Sequence, residues 1–134
     1  MVKLTEDMKE AFSKVKIFPF ATASKAGMPN VIPIGMCQLV DDETIWITDN
    51  YFLKTRENLD ENPVASIFVW GPEVGACLQI KGDVEVKTSG EDYEKAYADA
   101  KAKGDRFPAK ALMVMKITEV FECKSGDDAG KKLI

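Results

Sequence analysis

The residues with the clearest chemical potential lie in the segment 48–59, where a predicted strand ends and a helix begins. Lys54 and Thr55 fall in the first turn of that helix, where unpaired backbone N–H groups and the positive end of the helix dipole attract an anion. Lysine adds a charge and threonine adds a hydroxyl donor. The pattern predicts a phosphate site. The alternative is a solvated helix start in which Glu57 pairs with Arg56.

A second unusual segment is the apolar run 29–36, which contains Pro29, Pro33 and Gly35. Proline cannot donate to a strand ladder and glycine has no side chain to pack, so such a strand is typical of a sheet edge or a bulge. A planar ring could lie against the backbone there. The alternative is a barrel corner bent by Pro33 and Gly35.

Gln79 lies between two aliphatic residues of a predicted strand, so its side chain points to the opposite face, alongside Cys77 and Lys81. That face is solvent, a subunit interface or a pocket. Cys37, Cys77 and Cys123 are 40 and 46 residues apart, without the close spacing of zinc sites or redox dithiols. We therefore expect buried, reduced thiols and no metal site.

The composition removes several classes of chemistry. The 134 residues include no histidine, so Ser-His-Asp and Cys-His catalysis and histidine-based metal sites are excluded. The net charge of −4 argues against a nucleic-acid-binding module. The N-terminus lacks the pattern of a signal peptide, and the longest uncharged stretch, residues 26–40, is too short and too rich in Pro and Gly for a membrane helix. We expect a cytoplasmic chain.

The elements that must position these residues are short and joined mainly by turns. Hydrophobic periodicity and turn signals predict six strands and three helices. The strands are 17–24, 30–40, 44–48, 64–70, 76–86 and 111–121, and the helices are 6–16, 53–62 and 91–103. Thr5 is the predicted cap of the first helix, and Gly104 ends the third. This favours a mainly β, α+β fold, a small antiparallel barrel in one domain over residues 1–124, with a flexible tail over residues 125–134.

Several motifs occur in an order that resembles the FMN-binding split-barrel proteins related to pyridoxamine 5′-phosphate oxidase. Residues 20–24 and 27–33 are similar to the first hairpin of that family. Residues 47–49, followed by Lys54-Thr55, 58–59 and 62–63, resemble its phosphate-binding strand and helix. Residues 78–82 resemble the strand whose glutamine reaches the flavin. The resemblance extends from about residue 18 to residue 121 and implies a six-stranded antiparallel split β-barrel.

The resemblance also implies a binding site and an assembly. Lys54 and Thr55 would hold the FMN phosphate, with Asn58 nearby. The other implied contacts are Val31, Pro33, Ile34 and Gly35, lining the isoalloxazine through backbone atoms, Thr48 and Asp49 at its polar edge, and Gln79 from its own strand. Family members are typically homodimers with FMN at the subunit interface. No catalytic residue is assigned.

The chain departs from true pyridoxamine phosphate oxidases, which are longer and bind substrate through arginine and histidine. Without histidine, oxidation of vitamin B6 is not expected. The leading hypothesis is a flavin-dependent oxidoreductase or electron carrier that uses FMN at a homodimer interface, with a nicotinamide or protein electron donor. The alternatives are a non-enzymatic flavin-binding or storage module and a deazaflavin-dependent reductase on the same fold.

Overall fold

The computed structural model describes residues 2–134 and contains three helices and seven named strands within that range. In chain order these are α1 (Glu6–Ser13), β1 (Phe18–Ala23), β2 (Pro29–Ile34), β3 (Cys37–Asp41), β4 (Thr44–Asp49), α2 (Lys54–Glu61), β5 (Val64–Val69), β6 (Leu78–Lys87), α3 (Glu91–Lys103) and β7 (Ala111–Glu122).

All seven strands form one antiparallel sheet in the order β2-β1-β5-β6-β7-β4-β3. The two edge strands, β2 and β3, are consecutive in the chain, so the sheet must curl to bring its edges together. At that corner the Thr48 amide donates to the Met36 carbonyl oxygen at 3.0 Å. The mainly β, antiparallel split-barrel class predicted from the sequence is therefore confirmed.

The predicted number of strands is wrong by one. The run 30–40 was expected to be a single strand, but it divides into β2 and β3. Gly35 and Met36 turn the chain, and the Cys37 amide donates back to the Gly35 carbonyl oxygen at 3.0 Å. The physical reason is the one noted for the corner alternative: Pro33 and Gly35 weaken ladder pairing at the point where the chain must change direction.

The helices cover the ends and one side of the barrel. Thr5 caps α1 by accepting a hydrogen bond from the Met8 amide at 3.3 Å, which confirms the predicted start. The apolar face of α1 includes Phe12, whose ring centroid lies 4.7 Å from that of Phe18. Gly104 ends α3 with a φ of 153°, as predicted. No helix within residues 2–134 is long and apolar enough to cross a membrane.

The last ten residues fold back along β7. The Leu133 amide donates to the Val120 carbonyl oxygen at 2.8 Å, and the Glu122 amide donates to the Lys131 carbonyl oxygen at 2.9 Å. These contacts attach the segment 125–134 to the final strand, while the flexibility expected for it stays a prediction.

Gly82 lies opposite a bulge in the longest strand pairing, where Thr118 of β7 is the extra residue. The register between β6 and β7 shifts between Lys81 and Gly82. A Cβ atom at Gly82 would lie 2.4 Å from the Lys116 carbonyl oxygen and 2.9 Å from Cγ of Met115. The backbone approaches so closely that only glycine fits.

We expect Gly82→Ala to lower the free energy of unfolding by about 2 kcal/mol, because added atoms in a close-packed site force the backbone apart. Gly35→Ala is the matched control, since its Cβ would meet only the mobile end of Ile17 closely, at 3.3 Å, and should cost less than about 0.5 kcal/mol. Urea unfolding of both variants measures the difference. Equal stability losses would contradict the close approach at Gly82.

Candidate functional site

The N-terminus of α2 is the most anion-attracting feature among the predicted site residues. Lys54 is the first residue of the helix, is exposed, and makes no ion pair with any residue from 2 to 134. Leu53 precedes it and offers no side-chain cap, so the first-turn amides are available to a ligand. Arg56 differs, because it pairs with Asp49 and Asp60, each at 3.3 Å.

A buried polar cluster holds this helix against the first hairpin. The side-chain amide nitrogen of Asn30 donates to the hydroxyl oxygens of Thr55 at 3.0 Å and Thr22 at 3.3 Å. The amide nitrogen of Asn58 also donates to Thr22, at 3.0 Å. Thr55 is only 1% exposed. Thr55 and Asn58 therefore fix α2 by inward hydrogen bonds, while Lys54 faces outward.

Sequence reasoning did not identify Thr22 and Asn30 as part of the site. Asn30 carried a signal, since asparagine is disfavoured in strands and lies within β2. Its partner could not be identified in advance, because Thr55 is 25 residues away.

A pocket of about 280 Å³ lies at the β2–β3 corner. Its lining includes four of the predicted site residues, Pro33, Ile34, Gly35 and Thr48. The far wall belongs to residues 50–52. Asn50 stiffens this wall, because its side-chain oxygen accepts a hydrogen bond from the Ala109 amide at 3.0 Å. The structure thus brings together three of the four residues expected to line a ring, Pro33, Ile34 and Gly35, with Thr48, whereas Val31 is not part of the pocket lining.

The open edge of β2 presents backbone groups beside this pocket. The Ser24 amide donates to the Met28 carbonyl oxygen, so these two residues form a hydrogen-bonded pair of the hairpin. Hydrogen-bonded and non-hydrogen-bonded pairs alternate along an antiparallel ladder, and the backbone groups of residues 30, 32 and 34 therefore point toward β1. Those of Val31 and Pro33 consequently face away from the sheet. Val31 offers an N–H and a carbonyl and is 65% exposed, whereas Pro33 offers only a carbonyl.

The anion-attracting helix end and the pocket are joined by the same strand. Asn30 contacts Thr55 of α2, and Pro33 lines the pocket three residues further along β2. A strand rises by 3.2–3.4 Å per residue, so the two points are separated by about 10 Å. This spacing suits a ligand with an anionic group, a linear spacer and a ring.

Asp49 has a local structural role. Its carboxylate is 1% exposed, accepts a hydrogen bond from the Phe52 amide at 2.9 Å and pairs with Arg56. It thereby shapes the turn that leads from β4 into α2. Both carboxylate oxygens therefore already have protein partners. The expected contact of Asp49 with a ligand stays a prediction.

Gln79 is distant from the pocket within one chain. It lies on the outer face of β6, opposite Phe68 of β5 and Phe121 of β7. Three strand spacings separate β6 from β2 in the sheet order, which amounts to about 14 Å. The structure therefore does not bring Gln79 together with Lys54 and the β2 edge in a single chain.

A second pocket, of about 290 Å³, opens between α3 and the β3–β4 hairpin. It shares Met36 and Thr48 with the corner pocket, so the two cavities adjoin. Asp99 and Lys103 of α3 contribute charge to it. Cys37 also lines it, but burial raises the pKa of that thiol to about 12, so it is a poor nucleophile at neutral pH.

No group of three or more His, Cys, Asp or Glu side chains within residues 2–134 is placed to hold a metal ion.

Comparison with known proteins identifies similar chains from several organisms. The uncharacterized protein MJ0282 of Methanocaldococcus jannaschii is 37% identical over 133 residues, which cover 98% of this chain and 88% of that protein. The crystal structure of HupZ from Group A Streptococcus is 28% identical, with a TM-score of 0.80, over 97% of this chain and 100% of that one.

Two more distant structures share the fold. An FMN-binding protein from Syntrophomonas wolfei is 18% identical, with a TM-score of 0.68, over 84% of this chain and 80% of that one. An F420 reductase is 20% identical, with a TM-score of 0.65, over 87% and 98% of the two chains. The family model described as pyridoxamine 5′-phosphate oxidase matches residues 4–124. The chain therefore belongs to the pyridoxamine 5′-phosphate oxidase family of split-barrel proteins.

Proposed function

We propose that the protein binds FMN and uses it as an oxidoreductase or electron carrier. The observation that carries this proposal is the connection of an uncapped helix end bearing Lys54 to the corner pocket through one strand, β2. The phosphate of FMN matches the helix end, and its ring matches the pocket beside the free edge of β2. Family membership and the FMN-binding protein of the same fold support the assignment.

The residues of this chain would hold the cofactor in two ways. Lys54 and the first-turn amides of α2 would neutralise the phosphate. The backbone groups of Val31 and Pro33 would face the ring at the open edge of β2. Bound FMN supplies hydride and single-electron transfer, for which the protein needs no histidine.

The cavity beside α3 favours redox turnover over storage alone. It adjoins the corner pocket at Met36 and Thr48, so a small donor or acceptor can lie next to the ring while Asp99 and Lys103 contribute charge. A pure storage module requires no such space.

The F420 reductase of the same fold makes a deazaflavin coenzyme the second candidate. Such a coenzyme has a longer acidic tail and needs cations beyond Lys54. The other cation of α2, Arg56, is already paired with Asp49 and Asp60. The remaining charged residues of the helix are acidic. The charge distribution along α2 therefore favours FMN.

We also propose that the functional unit is a homodimer. Val31 of β2 is in register with Ala21, Ser66, Lys81 and Glu119 across five neighbouring strands. Apolar side chains on this outer face are strongly exposed, Val31 at 65% and Val64 at 44%. Exposed apolar patches are typical of interfaces. Pairing of two outer faces would bring Gln79 of one protomer toward the β2 edge of the other.

Replacement of Lys54 by alanine tests the phosphate contact. We expect Lys54→Ala to weaken FMN binding by about 10- to 100-fold, because a hydrogen bond to a charged group contributes about 1.5–3 kcal/mol. Riboflavin, which has no phosphate, should bind both proteins equally. Fluorescence titration with each ligand measures the difference.

Lys95→Ala is the matched control, since Lys95 is an exposed lysine of α3 without an ion-pair partner among residues 2–134. It should leave the affinity for both ligands unchanged. An equal loss of FMN and riboflavin affinity in Lys54→Ala would contradict the phosphate assignment.

The nature of the activity is tested with purified, cofactor-loaded protein. We expect release of FMN rather than a deazaflavin on denaturation, identified by mass. We also expect rapid loss of the flavin absorbance on stopped-flow mixing with NADH or NADPH, or with a reduced protein carrier. Release of a deazaflavin would overturn the cofactor assignment, and failure of every donor to reduce bound FMN would favour the storage alternative.

Val64→Lys tests the dimer without a penalty to the fold. Val64 is directly opposite Asp83 on the neighbouring strand, so the new lysine gains a cross-strand partner while placing a charge on the outer face. We expect light scattering to show a dimer for the original chain and a shift to monomer for the variant. Val40→Lys, on β3 at the far edge of the sheet, should remain dimeric. A monomeric original chain would exclude the proposed assembly.

A further inference from the structure

Two of the three cysteines are brought together by the pairing of β6 and β7. Leu78 of β6 and Glu122 of β7 form the last pair of the ladder, and Cys77 and Cys123 are the next residues outward. The Cys123 amide donates to the Cys77 carbonyl oxygen at 2.8 Å, so the ladder continues through both residues. They are 46 residues apart in the sequence but directly opposite in the sheet.

We propose that Cys77 and Cys123 form a reversible intramolecular disulfide when a hydroperoxide oxidises them. This proposal does not depend on flavin binding.

The register places the two thiols within bridging range. Directly opposite, hydrogen-bonded residues of an antiparallel pair have Cα atoms about 5.5 Å apart, which lies within the range of about 4.4–6.8 Å found for disulfides. Both side chains emerge on the same face of the sheet. Their proximity is also evident in ionisation, since burial first, and then the Cys123 and Glu122 charges, raise the pKa of the Cys77 thiol.

The same geometry makes the bond readily reducible. Cβ atoms of opposite residues lie about 4.5–5.5 Å apart, whereas a disulfide requires about 3.5–4.5 Å. The backbones must therefore move together by about 1 Å, and the strain favours the reduced state. Both residues lie just beyond the ends of their named strands, where the adjoining loops can absorb this movement.

Access and chemistry are compatible with oxidation by a peroxide. Cys77 and Cys123 are both half-buried and unbonded in the single chain, so a small oxidant can reach them there. One cysteine gives up its thiol proton, and the thiolate attacks a peroxide oxygen and becomes a sulfenic acid, while the departing oxygen takes up the proton and leaves as water (or an alcohol). The second thiol then displaces water from that sulfur, forming the S–S bond. With hydrogen peroxide, two thiols and one peroxide yield one disulfide and two molecules of water.

Cys37 cannot compete for either partner. Cys37 of β3 is opposite Ile47 of β4, and Ile47 is opposite Met113 of β7. Met113 is ten residues from Cys123 along the chain. At about 3.3 Å per residue the separation along the strand is about 33 Å. Cys37 therefore provides an internal control in the same molecule.

The test oxidises the full chain with hydrogen peroxide under native conditions and then alkylates the remaining thiols. Intact mass should show the loss of two hydrogen atoms and a fall in alkylated thiols from three to one. Non-reducing peptide mapping should give one linked pair containing Cys77 and Cys123, and dithiothreitol should restore all three thiols.

Variants separate this pairing from other oxidation. Cys37→Ser should form the disulfide at the rate of the original chain, whereas Cys77→Ser and Cys123→Ser should each fail to form any intramolecular bond. Any of three results would overturn the proposal: stable oxygen addition to Cys77 or Cys123 without linkage, a bond that includes Cys37, or linkage only between two chains. The measurement on the original chain stands even if a serine variant folds poorly.

Discussion

The orientation of α2 is fixed by a cluster of buried side-chain hydrogen bonds. Only one of its eight residues, Leu59, is apolar, so hydrophobic burial alone gives the helix little adhesion to the sheet. Asn30, Thr22 and Asn58 supply the remainder through amide and hydroxyl contacts. Each such bond contributes only about 1 kcal/mol net, but a buried partner left unpaired costs about 1–3 kcal/mol. The cluster therefore specifies one orientation of the helix.

That orientation determines what the site can bind. With Thr55 and Asn58 directed inward, the helix turns Lys54 outward beside the strand that leads to the corner pocket. Asp49 stabilises the turn that precedes α2 by accepting a hydrogen bond from the Phe52 amide. It also forms an ion pair with Arg56, so Arg56 is not available to a ligand. A protein with an overall negative charge thus retains one unpaired lysine where a phosphate is proposed to bind.

Features encoded by short segments could be predicted from the sequence. The Thr5 cap and the end of α3 at Gly104 each follow from one to three residues and were correct. The division of the run 30–40 was not predicted as a break between strands, because apolar residues resume directly after Gly35 and no polar turn separates the two strands. The corner exists because the sheet curls, and curling is a property of all seven strands.

The contacts that sequence reasoning missed are those between distant segments. Thr22 reaches Asn58 across 36 residues, and no local pattern encodes that partnership. The cysteines are a second example. Their spacing along the chain gave no sign of a pair, whereas the register of β6 and β7 brings Cys77 and Cys123 together. The predicted roles of Lys54 and Thr55 came from a helix start, which is local, and this is why the phosphate site could be proposed before the fold was known.

The register of β6 and β7 links the fold to the chemistry of the outer face. Beyond the bulge at Gly82, Lys81 is opposite Glu119 and Gln79 is opposite Phe121. Without the extra residue, each β6 position would face the residue one earlier on β7, and Cys77 would lie opposite Glu122 rather than Cys123. The extra residue, Thr118 of β7, therefore determines both the thiol pair and the residues beside Gln79. It lies next to the close approach that only glycine permits at residue 82, so one local irregularity of the ladder decides which side chains meet on the outer face.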